Sequence, residues 1–186
     1  MSKFVHVDPN SAQADTEKAF KEAAAQFGGV INLFKVIGIA PNVLSGILAL
    51  NKEVSSSTEL DDQLTEQVAM LTSALNRCDY CVNVHMKVGE GVGLSREDLI
   101  MAMKAKANNG KAQALLDFTN EVVRKRGRVS NATLQAVQSA GFSNKAILET
   151  IGIIGIYTTL QYIRHVANPD HDFPNVPEFN ADQYGA

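Results

Sequence analysis

Cysteine is scarce in this chain of 186 residues: Cys78 and Cys81 are the only two, which excludes a framework of structural disulfides. An excess of one charge sign is also missing. Seventeen Lys and Arg stand against twenty Asp and Glu, a net charge of -3, and no long run of either sign occurs. The short basic stretch at residues 125–128 reads as a solvated helix end, where cations suit the carbonyl-rich terminus, so no nucleic-acid partner is expected. The opening MSKFVHVDPN contains no apolar segment of the secretory kind, and the expected compartment is therefore the cytoplasm. In that compartment a close pair of cysteines points to redox or metal chemistry rather than to a staple. Strand-like alternation, internal repeats and low-complexity blocks are all but absent. Proline is rare before residue 167, and three of the five prolines fall in the last twenty residues.

What remains is helical periodicity. Residues 1–10 read as an extended, polar leading segment. A helix over 11–27 places Ala19, Phe20, Ala23 and Phe27 on one face and stops at Gly28-Gly29. A brief apolar helix spans 30–39, and Pro41 suits the first turn of the next, which runs to about residue 53. Residues 55–58 form a loop whose hydroxyls cap the helix that follows. An amphipathic helix over 60–75 meets a turn at Asn76-Arg77, and another helix follows over 78–92. Ser95 with Asp98 forms a capping box for a helix over 96–107. Two more are expected over 111–126 and 130–141, and Ser143 caps a last, long one reaching about residue 166. That helix is apolar nearly all round, but its threonines, glycines and tyrosines make a membrane span a poor fit. It reads as a core helix, or one shared between core and subunit interface. The tail from 167 to 186 reads as an extended strap. The expected architecture is thus all-α, a single domain over 1–186, with a central antiparallel helix hairpin carrying the cysteines.

The chemistry concentrates in Glu66–His85, EQVAMLTSALNRCDYCVNVH. Cys78, Cys81 and His85 stand at three- and four-residue steps and share one helix stripe. Glu66 and His85 lie on opposite sides of the Asn76-Arg77 turn. A continuous helix would hold them about 28 Å apart at about 1.5 Å per residue. A helix hairpin instead brings them level. Under that condition His85 takes the proton of Cys81 as general base, and Glu66 orients the imidazole. The helix N-terminus favours anionic sulfur at the two cysteines. The second thiol then resolves an adduct on the first, such as a sulfenic acid formed from a peroxide.

Glu66, eleven residues, Cys78, two residues, Cys81, three residues, His85: this spacing resembles the E-x11-C-x2-C-x3-H signature of the alkylhydroperoxidase D family. That family sits in the wider group containing the carboxymuconolactone decarboxylases. The resemblance implies the corresponding helical fold and a thiol-dependent reduction of organic hydroperoxides. It makes Cys81 the attacking residue, Cys78 the resolving partner, His85 the base and Glu66 its orienting carboxylate. It further implies no cofactor beyond the redox-active cysteine pair, electrons from a lipoyl-bearing or other protein thiol, and a homo-oligomer, a trimer or a multiple of one. No membrane partner is implied. The chain departs from the pattern at Tyr80, where the family offers a second relay histidine; a phenol donates a hydrogen bond but is a poor base at neutral pH.

Other readings of the same residues stay open at this level. Cys78, Cys81 and His85, with Glu66 or His165 as a fourth ligand, have the donor types of a zinc site. A decarboxylase-like lyase and a non-enzymatic redox sensor are further alternatives. A thioredoxin-type motif lacks its βαβ surroundings. His6 reads as solvent-facing, and His165 and His171 as capping or surface residues, with His165 and Tyr80 as secondary candidates for the site. Tyr157 and Tyr162 read as core packing.

Overall fold

The computed structural model describes residues 2–56 and 59–184. Ser57 and Thr58, expected in the capping loop, lie outside the described residues, as do Met1, Gly185 and Ala186. Among the described residues the chain is helical, without strands. Nine α-helices follow in order: α1 Ala14–Phe27, α2 Asn32–Ile37, α3 Pro41–Val54, α4 Asp62–Leu75, α5 Asp79–Gly91, α6 Arg96–Met103, α7 Gly110–Arg124, α8 Asn131–Ser139 and α9 Asn144–Ala167. A 3-10 turn, Ala181–Tyr184, follows near the end.

The central helix is α4, which packs on α5, α6, α7 and α9. Its residues from Glu66 to Ala74 are all buried. The polar ones among them are accommodated locally: Thr72 and Ser73 donate their hydroxyls to Val68 O and Ala69 O one turn back, at 2.7 Å each. α9 also enters the core, as expected, burying Ile153, Ile154, Ile156 and Leu160. By length and composition α9 is the one described helix able to cross a membrane, yet half of its most apolar window is buried inside the fold. Its outer face shows Leu148, Ile151, Tyr162 and Val166 to solvent.

Several boundaries differ from the sequence reading, each for a local reason. α4 begins at Asp62 because Asp61 accepts from Leu64 N–H and caps it, so the serine loop is not the cap. The capping box of Ser95 and Asp98 is present as expected. α6, however, ends at Met103 rather than 107. Ala105 takes φ 55°, and Lys106 N–H closes back on Met101 O at 2.9 Å, a Schellman turn built without glycine. α7 stops at Arg124 in the same way, with Arg126 beyond it at φ 54° and Gly127 N–H reaching Val122 O. The tail is not extended throughout, since it closes in the 3-10 turn. Its nearer part, residues 168–176, lies along α5.

Candidate redox site

The junction of α4 and α5 builds the site. Arg77 adopts φ 58°, a left-handed conformation costing a side-chain-bearing residue about 1 kcal/mol. Arg77 N–H donates to Ala74 O and Cys78 N–H to Ser73 O, both at 2.9 Å, the two bonds of a Schellman motif. The helix therefore stops and reverses within two residues. Cys78 is at once the N-cap of α5, its Sγ accepting from Cys81 N–H at 3.2 Å. The hairpin required for Glu66 to meet His85 is thus enforced by backbone hydrogen bonds.

Across that hairpin, His85 Nδ1 lies 2.8 Å from Glu66 Oε2. The carboxylate is an acceptor, so Nδ1 carries the proton and Nε2 is left with its lone pair. Both side chains are buried, with 5% of His85 and 7% of Glu66 exposed. A hydrogen bond this dry fixes the ring and its tautomer. Tyr157 of α9 stands edge-on to the imidazole, with centroids 4.5 Å apart. Burial, and next the nearby Glu66 charge, push the Tyr157 phenol well above its ordinary pKa, so it stays a neutral hydroxyl.

Cys78 and Cys81 are joined as a disulfide, their Cα atoms 5.2 Å apart. Cys78 has no exposed surface and Cys81 has 5%. Cys81, His85, Glu66, Tyr80 and Tyr157 all line one cavity of about 50 Å³, together with apolar side chains from α1, α2, α5 and α9 that include Phe27, Leu33 and Phe34. Cys78 does not line it. The cavity is therefore a mainly apolar recess with one thiol position, one imidazole and one carboxylate at its wall.

Tyr80 occupies the position where the resembling family carries a histidine. Its hydroxyl donates to Asp172 of the tail and accepts from Leu33 N–H at 3.2 Å. Burial, followed by the Asp172 carboxylate, drives its pKa far up, so it cannot serve as a base at any ordinary pH. His165 does not reach the cavity. Its Nε2 bonds Asn76 O at 2.9 Å and secures the α4–α5 turn from outside. His171 lies closer than expected, its Nδ1 accepting from Asn83 Nδ2 at 2.8 Å. Sequence reasoning missed Asp172 altogether and left Tyr157 as packing. No group of three or more metal-ligating side chains occurs among the described residues, and the cysteines offered to zinc are tied in the disulfide.

With this geometry in place, comparison with known proteins is informative. A search of the curated proteins finds no significant sequence relative. Residues 41–121, from α3 into α7 and spanning the whole Glu66–His85 segment, match the Carboxymuconolactone decarboxylase family. That match spans a little under half of the chain. Solved structures extend the likeness over the rest of the chain. A variant of the debrominase Bmp8 in complex with 2,3,4-tribromopyrrole superposes with a TM-score of 0.79 at 16% identity, covering 92% of each chain. An uncharacterised peroxidase-related protein with an alkylhydroperoxidase AhpD core, from Ralstonia eutropha JMP134, gives 0.76 at 21%, covering 96% of this chain and 94% of that one. A putative antioxidant defence protein from Agrobacterium tumefaciens gives 0.67 at 21%, covering 78% and 99%. The helical fold shared with these structures is the one that the motif resemblance implied.

Proposed function

We propose that this protein is a thiol-dependent peroxidase that reduces organic hydroperoxides through Cys78 and Cys81. The observation that supports this reading most is the buried Glu66–His85 pair opening, beside Cys81, on one apolar cavity. In the reduced enzyme His85 Nε2 takes the Cys81 proton, and Glu66 steadies the imidazolium. The thiolate attacks the outer oxygen of the hydroperoxide. The O–O bond breaks, Cys81 becomes a sulfenic acid, and the imidazolium returns its proton to the departing alkoxide, giving the alcohol. The Cys78 thiol then attacks Cys81 sulfur, expelling water and forming the disulfide. A thiol reductant, protein-borne or of the lipoyl type, supplies two electrons and two protons to restore the pair. Phe27, Leu33, Phe34 and Val88 favour a substrate with an apolar body over hydrogen peroxide. The cycle uses no cofactor beyond the cysteines and suits the cytoplasm, where thiols are kept reduced. The exposed apolar residues of α9 are a natural interface for a homo-oligomer.

A second reading is reductive removal of halogen from an aromatic ring, which the aromatic wall of Phe27, Phe34 and Tyr157 favours. It consumes the same dithiol: the aryl halide and two thiols give the arene, the disulfide and hydrogen halide. A lyase makes no use of the cysteine pair, and a sensor oxidises only once. Sustained consumption of cumene hydroperoxide with dithiothreitol as reductant, abolished in Cys81→Ser, is the expected result. A single stoichiometric oxidation without turnover would remove the enzyme reading. Turnover of tribromopyrrole but not of hydroperoxide would replace it with the second.

A further inference from the structure

The polar side chains at the cavity wall are committed to one another or to the fold, with one exception. Glu66 and His85 bond each other, and the Tyr80 hydroxyl is held by Asp172 and by Leu33 N–H. Gln161 donates to Ser73 Oγ at 3.0 Å and accepts from Asn76 Nδ2. The Tyr157 hydroxyl has no hydrogen-bond partner among the described residues, although the residue is only 7% exposed. An unpaired buried hydroxyl is unfavourable, and a phenylalanine would fill the same space without one. Packing against His85 therefore accounts for the ring of Tyr157 but not for its oxygen.

The position of that ring is fixed from the cysteine-bearing turn. Asn76 Nδ2 donates to Thr158 Oγ1 at 3.2 Å as well as to Gln161, and His165 Nε2 reaches Asn76 O at 2.9 Å. Residues 158, 161 and 165 thus lock α9 in register against the α4–α5 junction over two helical turns. Tyr157, one turn before Gln161, is carried to the wall that Cys81 and His85 share, its ring 4.5 Å from the imidazole. Burial, and next the Glu66 charge, keep the phenol protonated well above the ordinary tyrosine range. It is therefore a hydrogen-bond donor at every working pH and never competes with His85 as base. The recess of about 50 Å³ leaves room for a small oxygen-bearing group beside it.

We propose that Tyr157 is a further catalytic residue of the peroxide step, its hydroxyl donating a hydrogen bond to the alkyl-bearing oxygen of the hydroperoxide as charge gathers there. This rests on the peroxidase reading above. Cys81 sulfur forms a bond to the outer oxygen, the O–O bond breaks, and its electron pair passes to the inner oxygen. The proton that converts this alkoxide to the alcohol comes from the His85 imidazolium, and the phenol keeps its own. A donor already aimed where negative charge develops, in a largely water-free recess, binds the transition state more tightly than the ground state.

The test compares three reactions of Cys81 in the reduced wild-type protein and in Tyr157→Phe. Oxidation by cumene hydroperoxide should slow by at least about tenfold in the variant, because the departing alkoxide loses its donor. Oxidation by peracetic acid should slow by less than about threefold, since the departing acetate is stable unaided, and alkylation by iodoacetamide should stay within about twofold. Equal slowing of all three would mean that Tyr157 only positions His85, and would overturn the proposal. An unchanged rate with cumene hydroperoxide would overturn it too. If Tyr157→Phe does not fold, Tyr157→Leu also removes the hydroxyl, and the ratio of oxidation to alkylation is read in the same way. A wild-type Cys81 that no hydroperoxide oxidises would remove the peroxidase reading and this inference with it. Oxidation as fast in Tyr157→Phe as in the wild type would remove this inference alone.

Discussion

Replacing Glu66 by glutamine isolates what the carboxylate charge does for the thiol. The amide is nearly isosteric and its oxygen can still accept from His85 Nδ1, now 2.8 Å from Glu66 Oε2 in the protein. Only the charge is lost. A hydrogen bond to an ionised group contributes about 1.5–3 kcal/mol against about 0.5–1.5 for a neutral pair. The exchange thus withdraws about 1–1.5 kcal/mol from the imidazolium that accompanies the Cys81 thiolate, a factor of about ten in its population, since about 1.4 kcal/mol corresponds to one pH unit. The burial of both side chains keeps water from screening the difference. The assay is alkylation of the reduced protein by iodoacetamide, followed peptide by peptide in a mass spectrometer across pH. At about pH 7 Cys81 should react about tenfold more slowly in Glu66→Gln, and the two proteins should converge above about pH 9, where a thiol ionises unaided. Identical profiles would show that Glu66 does not act on Cys81 through His85.

Two neighbouring glycines of α5 should respond with opposite signs. A methyl at Gly89 would lie 2.5 Å from Leu99 Cδ2 and 3.3 Å from its Cγ, and Leu99 is fully buried, so Gly89→Ala should lower stability by about 1–3 kcal/mol in urea unfolding. At Gly91 nothing lies within 4 Å of such a methyl, and Gly91→Ala should raise stability by about 0.5–1 kcal/mol. Losses at both positions would contradict the α5–α6 packing described. Alkaline titration supplies a pH test. Burial raises the pKa of Tyr80, further aided by Asp172, and of Tyr157 above the ordinary value of 10.0. The native state therefore holds protons that the unfolded chain releases. The stability from this source is complete below about pH 10 and should fall by about 1.4 kcal/mol per pH unit per tyrosine above it. Tyrosinate absorbance from these residues should appear only together with loss of helix by circular dichroism; its appearance in the folded protein would refute their burial.

Much of this was legible in the residues because it is written in local spacing. Helix existence follows from period, and the meeting of Glu66 with His85 follows from counting out from a turn that Asn76-Arg77 signals. The ends of α6 and α7 were not legible, because Ala105 and Arg126 take left-handed conformations that sequence reasoning assigns to glycine. Tyr157 was obscured by its own helix: where apolar residues surround α9, periodicity does not say which face meets the site. Asp172 was hidden for a different reason. It lies in a proline-rich tail without period, 92 residues from Tyr80, and such a contact has no local pattern. The tail's only pointer was its cluster of Asp and His residues, which surface chemistry explains equally well.

The central claim is that Cys81 is the sulfur attacked by peroxide oxygen. It is tested most directly by treating reduced Cys78→Ser with one equivalent of cumene hydroperoxide and locating the product by mass spectrometry after dimedone trapping. A single dimedone adduct on the Cys81 peptide, formed at the wild-type rate of thiol loss and slowed in His85→Ala, is the expected result. A Cys81 that survives as free thiol, while Cys81→Ser forms the adduct at Cys78, would contradict it.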